Sequence, residues 1–242
     1  MNTEKRIIEV SDIKVEVVRK NIKNLHLGVY PPEGRVRVSA PFYLDDETVR
    51  LAVVSRLSWI RKQQKSFEMQ ARQSAREMVS GESHYFLGRK YLLDVIKTEG
   101  KQEVRIVNNK KLQMKVKPET SREKRYKLLQ DWYRKQLKEL LPDFVNKWEK
   151  KIGVKVNKAG IRIMKTKWGS CNPEAARIWL NLELAKKPVK CIEYILVHEM
   201  VHFLERRHND RFRELMDDFL PDWRLRKDEL NQAPLSHEKW DY

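Results

Sequence analysis

VKCIEYILVHEMVHFLERRHND, residues 189–210, is the stretch that decides the fold. It follows Lys187-Pro188, and proline suits the first turn of a helix, where its missing N–H costs nothing. From there to Glu205 the spacing predicts one long helix. Ile192, Tyr194, Ile195, Leu196, Val197, Met200, Val201, Phe203 and Leu204 place apolar groups on nearly every side. A helix apolar all round is buried inside the protein. His198, Glu199 and His202 nevertheless interrupt it. Residues four apart project from one helix face, so two imidazoles can converge on one metal ion. Glu199 points one position further round, where a carboxylate serves as general base to a water on the open side of that metal. Burying three ionisable groups among apolar neighbours is costly unless something compensates them, and a divalent cation would.

A third ligand is expected from His208. Six residues past His202, a straight helix would carry it about 120° off the shared face. The helix should therefore stop near Arg206-Arg207 and the chain turn back. Asn209 is a capping residue, and Phe212, Leu215, Met216 and Phe219 form the apolar face of a following helix. Three imidazoles with one exchangeable position make an open, catalytic zinc site, one ion per chain; a structural site would close with four protein ligands. A chance His-Glu-x-x-His in an ordinary amphipathic helix would have neither the apolar surroundings nor the offset third histidine with its cap.

The remainder is consistent with one large globular unit of 242 residues, 40% hydrophobic and 35% charged. Seven tryptophans, eight tyrosines and seven phenylalanines suffice for a core. The net charge of +17, from 51 Lys and Arg against 34 Asp and Glu, favours anionic partners, nucleic acid or nucleotides among them. The same charge on a merely solvated surface is the bland alternative, and no nucleic-acid-binding module is evident. Two cysteines cannot build a disulfide framework. The opening MNTEKRIIEV lacks a signal core, and no apolar run reaches the roughly 18 residues of a membrane span. A cytoplasmic protein without membrane contact is the expectation.

The fold class expected is α+β. Strands are predicted at Ile13–Val18, Leu25–Tyr30 and Arg35–Ala40, with a turn at Pro31-Pro32-Glu33-Gly34. A helix starting at Asp45-Asp46 runs through Val49, Val53, Leu57 and Ile60 into the polar stretch 61–74. Strand-like segments follow at His84–Ile96, Glu103–Val107 and Leu112–Val116. Ser121 to Lys151 is helical again, with Pro142 either kinking it or starting a second helix. Gly160–Met164 and Arg177–Leu184 flank the turn at Trp168–Pro173. No internal repeat is evident. Composition divides the chain into a β-rich portion, 1–118, a metal-binding portion, 119–230, and a polar tail, 231–242, within one continuous domain.

Trp168-Gly169-Ser170-Cys171, Trp179-Leu180-Asn181-Leu182, Tyr194 to His202 and His208-Asn209-Asp210-Arg211-Phe212 together resemble the YgjP-like metallopeptidase family, itself similar to the SprT-type zincins. These motifs lie between about residues 160 and 215; the strand-rich front matches the family without a sharp pattern. The resemblance implies a zincin-type catalytic core, His198, His202 and His208 as zinc ligands, Glu199 as catalytic base, and peptides as substrates. The spacing from first to third histidine also equals that of the metzincins, but Glu205 stands where those proteins place a turn glycine, so their geometry is not carried over.

Other residues invite functional readings. Cys191 lies about 10 Å along the helix axis from His198 and reads as a small core residue. Cys171 sits in a turn that the fold could bring near the site, although a structural role is the simpler reading. Trp168 and Trp179 suit core packing or the wall of a substrate groove. His26, His84 and His237 lack ligand spacing. Arg211 is a weak candidate to stabilise an oxyanion. Two further functions remain open: a zinc-dependent phosphohydrolase acting on nucleotides or other anionic esters, and a nucleic-acid-associated protein with a structural metal.

Overall fold

The computed structural model describes residues 4–30, 34–69, 76–164 and 167–232. They form an α+β protein with six α-helices and three small sheets among the described residues, in two compact units divided between Ser74 and Ala75. The predicted turn at Pro31–Glu33, part of the polar stretch before Ser74 and most of the C-terminal tail lie outside the described residues; Asn231 and Gln232 close the last helix.

In the first unit, β1 (Glu4–Val10), β2 (Ile13–Lys20), β3 (His26–Tyr30) and β4 (Arg35–Pro41) form a sheet in the order β1-β2-β4-β3. Strands β2 and β4 are parallel and the outer pairs antiparallel. Side chains alternate across a strand, so Val15 and Val17 share a buried face with Val36, Val38 and Ala40. Two helices supply its apolar partners: Val49 and Val53 of α1 (Asp46–Val54) and Ile60 of α2 (Leu57–Met69), all fully buried. Asp45 caps α1 by accepting from the Thr48 amide at 2.8 Å. The single helix expected here breaks at Ser55, whose hydroxyl donates to the Ala52 carbonyl at 3.0 Å and so competes with the helical backbone.

The second unit begins with the same arrangement. Strands β5 (Ser83–Phe86), β6 (Arg89–Lys97), β7 (Glu103–Val107) and β8 (Lys111–Val116) are ordered β5-β6-β8-β7, again with a parallel central pair and antiparallel outer pairs. A helix follows, α3 (Arg122–Ile152), capped by Ser121 and continuous through Pro142. Trp59-Ile60-Arg61-Lys62-Gln63 in α2 corresponds to Trp132-Tyr133-Arg134-Lys135-Gln136 in α3, with Ile60 and Tyr133 both buried. The chain thus contains two four-stranded sheets of the same strand order, the first followed by two helices and the second by one, a recurrence that the hydropathy pattern alone does not disclose.

Beyond α3, strands β9 (Lys158–Arg162), β10 (Gly169–Asn172) and β11 (Arg177–Asn181) form a sheet ordered β10-β11-β9, which leaves β10 at an edge. Strand β11 stops at Asn181, three residues before the predicted end at Leu184, because the Asn181 side chain accepts from the Glu183 amide and starts a 3-10 turn over Leu182–Lys186. Helices α4 (Val189–Val201), α5 (Asp210–Phe219) and α6 (Trp223–Gln232) complete the unit. The β5–β6 hairpin tip fixes the entry to α4. Leu87 donates to the Ala185 carbonyl at 2.8 Å, and a side chain at Gly88, where φ is +81°, would run into Pro188. Helix α4 is buried on nearly all sides, as its composition demands. Among the described residues no helix is long and apolar enough to cross a membrane.

Candidate metal centre

Helix α4 ends at Val201, one turn earlier than expected, and His202 occupies its C-cap. Phe203 donates to the Met200 carbonyl at 3.0 Å and Leu204 to that of Val201 at 2.9 Å, a tightened last turn that starts the chain reversal. The Glu205 carbonyl then turns inward and takes a hydrogen bond from His202 Nδ1 at 3.0 Å. A carbonyl only accepts, so Nδ1 carries the proton and the Nε2 lone pair faces away from the loop. The Glu205 carboxylate accepts from the Arg207 amide at 2.9 Å, and Asn209 caps α5 by accepting from the Phe212 amide at 2.9 Å. His208 is delivered between these two fixed points.

His198, His202 and His208 accordingly meet. Their potential ligand atoms all lie within 4.8 Å of one another, and the Nε2 atoms of His198 and His208 are 3.0 Å apart. Nitrogens held about 2.0–2.1 Å from a tetrahedral zinc stand about 3.3 Å from each other, so the donor set fits that ion. Phe212 backs all three imidazoles, with ring centroids 4.9, 4.6 and 4.8 Å from those of His198, His202 and His208. Burial, reinforced by the neighbouring imidazoles and Lys227, pushes His198 down to about 3. Burial likewise lowers His202, against the pull of the Glu205 carbonyl. Both are therefore neutral at physiological pH, the form in which imidazole ligates a metal.

Glu199 is buried beside the triad, 7% exposed. Burial pushes its carboxyl up to about 7, while the Lys167 ammonium and the Cys171 thiol pull the other way. Its seat is made by Gly169, where an added Cβ would stand 2.6 Å from Oε1 and 2.9 Å from Cδ. Gly169 is in turn placed by Asn181, which donates to the carbonyls of Met164 and Lys167 at 2.8 Å each, while its own amide donates to the Trp168 carbonyl at 2.9 Å. The triad and Glu199 open into a cavity of about 760 Å³ also lined by Trp168, Cys171 and Tyr194.

The other residues singled out from sequence are elsewhere, with two exceptions. Cys171 and Trp168 reach the cavity wall. Cys191 is buried against the Arg226 carbonyl, and Trp179 packs on Gly160 beneath the Arg162 guanidinium. His26 is exposed on β3, and His84 is buried 3.4 Å from Glu82. Arg211 pairs with Glu214 and does not line the cavity. His237 lies outside the described residues. Sequence reasoning missed the roles of Gly169, Phe212 and Asn181, although all three stand within the motifs that carry the family resemblance.

No curated protein matches the chain. The family model described as YgjP-like, metallopeptidase domain matches residues 23–233, a span that holds the histidine triad, Glu199, Gly169 and Asn181. On that match the chain belongs to the YgjP-like metallopeptidase family.

Proposed function

We propose that the protein is a zincin-type peptidase in which His198, His202 and His208 hold one zinc ion and Glu199 is the general base. The observation that carries this reading is the convergence of three imidazoles beside a buried carboxylate with a shaped seat. Zinc bound there supplies Lewis acidity toward a carbonyl oxygen and makes water more acidic. Glu199 takes the proton from the attacking water as its oxygen bonds to the scissile carbonyl carbon. It then passes that proton to the amine nitrogen as the C–N bond breaks. Burial disfavours the charged form of Glu199, which suits a group that must take up a proton before handing it on. The free edge of β10 lies beside the cavity, and an extended peptide can add to it through main-chain hydrogen bonds.

Two variants test the proposal. Zinc-loaded Glu199→Gln is expected to keep one metal per chain while turnover of a peptide substrate falls about 10²–10⁴-fold. His202→Ala is expected to lose the metal. Unchanged peptide turnover in Glu199→Gln, or full metal retention in His202→Ala, contradicts the assignment.

A phosphohydrolase is the second reading, favoured by Lys167, Arg206 and Lys227 along the cavity, since cationic side chains clamp phosphate. The absence of a glycine-rich phosphate loop from the sequence counts against it. Casein-type peptides and nucleoside triphosphates, tested side by side with zinc and with a chelator, separate the two. A nucleic-acid-associated protein with a structural metal would be indifferent to Glu199→Gln in both assays.

A further inference from the structure

The charges around the cavity are strongly one-sided. Among the described residues, the only acid lining it apart from Glu199 is Glu174, and that carboxylate is paired with Arg206 at 3.1 Å. Lys167 and Lys227 also line the cavity, both exposed, and neither has an ion-pair partner among the described residues. They arrive from different elements. Lys167 precedes β10 on a segment pinned by Asn181, and Lys227 projects from α6. Their fields fall on different parts of the site, that of Lys167 on Glu199 and that of Lys227 on His198. Helix α6 is itself held to α4 by Arg226, which binds Glu193 at 2.6 Å, so the Lys227 position is fixed by a neighbouring clamp.

We infer that the cavity selects acidic substrates: peptide segments carrying Asp or Glu close to the scissile bond, drawn in by Lys167 and Lys227. The inference rests on the peptidase reading above. Two exposed cationic groups with no ion-pair partner among the described residues leave a positive potential inside a concave site, which concentrates anionic segments and repels basic ones. A bound divalent cation would add to that potential. The same lysines would be poorly placed in a site that takes basic peptides.

Three peptides that differ only in flanking Glu, Gln or Lys residues provide the test. Binding is measured by fluorescence anisotropy on zinc-loaded Glu199→Gln, and cleavage on the wild-type enzyme, both at low ionic strength. The acidic peptide is expected to bind and to be cleaved about tenfold better than the basic one, with the difference shrinking in 0.5 M salt at roughly a 4 Å Debye length. The double variant Lys167→Glu/Lys227→Glu changes two exposed positions and is expected to reverse the order. Equal handling of the three peptides, or a double variant with the wild-type order, overturns the inference while leaving a peptidase. Preferential binding of the acidic peptide with no cleavage of any of them overturns the peptidase reading and upholds the charge selection.

Discussion

Gly169 and Glu199 touch so closely that the smallest side chain at 169 must displace the carboxylate: an alanine Cβ would stand 2.6 Å from Oε1 and 2.8 Å from Cγ. Gly169→Ala is therefore expected to lower turnover about 10²-fold, the usual scale for an ångström of misplacement, while zinc content and the folded state persist. Wild-type turnover in that variant would show that the seat is not needed. Phe212 acts on the other side of the site, behind three imidazoles at once. Phe212→Leu keeps most of the volume but loosens the ring packing, and zinc affinity is expected to drop about tenfold in competition with a chelator, by analogy with second-layer supports. At this scale the sequence discloses what helical spacing encodes: His198, Glu199 and His202 are set by a four-residue period, and His208 by the cap that follows. Phe212 is legible as an apolar position of α5, but its packing on His198 and His202 across the turn is not, and Gly169 and Asn181 stay hidden because their contacts join separate segments that no local period reports.

The elements were legible where one force dominated. The burial of α4 follows from its composition, and the start of α5 from Asn209. The end of α4 was misjudged because apolar residues continue to Leu204, whereas the loop's own hydrogen bonds end the helix a turn earlier. Glu193 was also passed over inside that apolar run. Its carboxylate is 9% exposed as a residue and binds Lys147 at 2.6 Å, Trp148 at 3.0 Å and Arg226 at 2.6 Å, joining α3, α4 and α6. Burial alone would raise Glu193, but these three partners hold it below the usual carboxylate range. Glu193→Ala leaves Arg226 with only Asp222 as carboxylate partner and leaves the buried Trp148 indole N–H without its acceptor, and is expected to cost about 2 kcal/mol in urea unfolding, whereas Lys147→Ala, at an exposed lysine, should cost under about 1 kcal/mol. Equal costs would mean that the clamp works through Lys147 and not through Arg226 and Trp148. In the β5–β6 hairpin, burial and the Arg76 guanidinium push His84 down to about 4, against Glu82. An unfolded histidine titrates near about 6.5, so the stability this group contributes is complete above that pH and declines as pH falls toward about 4. The urea midpoint should fall between pH 7.5 and 5 in the wild type and fall less in His84→Gln; identical slopes would remove His84 from the acid response.

At the scale of the whole molecule, the two four-stranded sheets of like strand order show how little of a topology the hydropathy pattern need carry. Ile60 and Tyr133 occupy corresponding buried positions, yet Arg61 pairs with Asp12 in the first unit while Arg134 donates to the Ile161 carbonyl in the second. Strand pairing and one buried helix face are shared; the polar partners are not, so surface residues obscure the correspondence. What the sequence does state globally is charge, 51 cationic against 34 acidic side chains, for a net of +17. The ion pairs are mostly at exposed side chains, each contributing at most about 1 kcal/mol, and the excess cations repel one another in the folded state more than in the expanded chain. Screening at a Debye length near 8 Å should relieve that repulsion. The melting temperature is therefore expected to rise between about 10 mM and 150 mM sodium chloride, a range in which chloride acts chiefly as a screening ion. Multivalent anions at the same ionic strength should raise it further if the excess cations are clustered, since a cluster binds polyanions beyond simple screening. A melting temperature that falls as salt is added would mean that favourable ion pairs outweigh the net repulsion, and that the +17 charge is spread widely enough to cost the fold little.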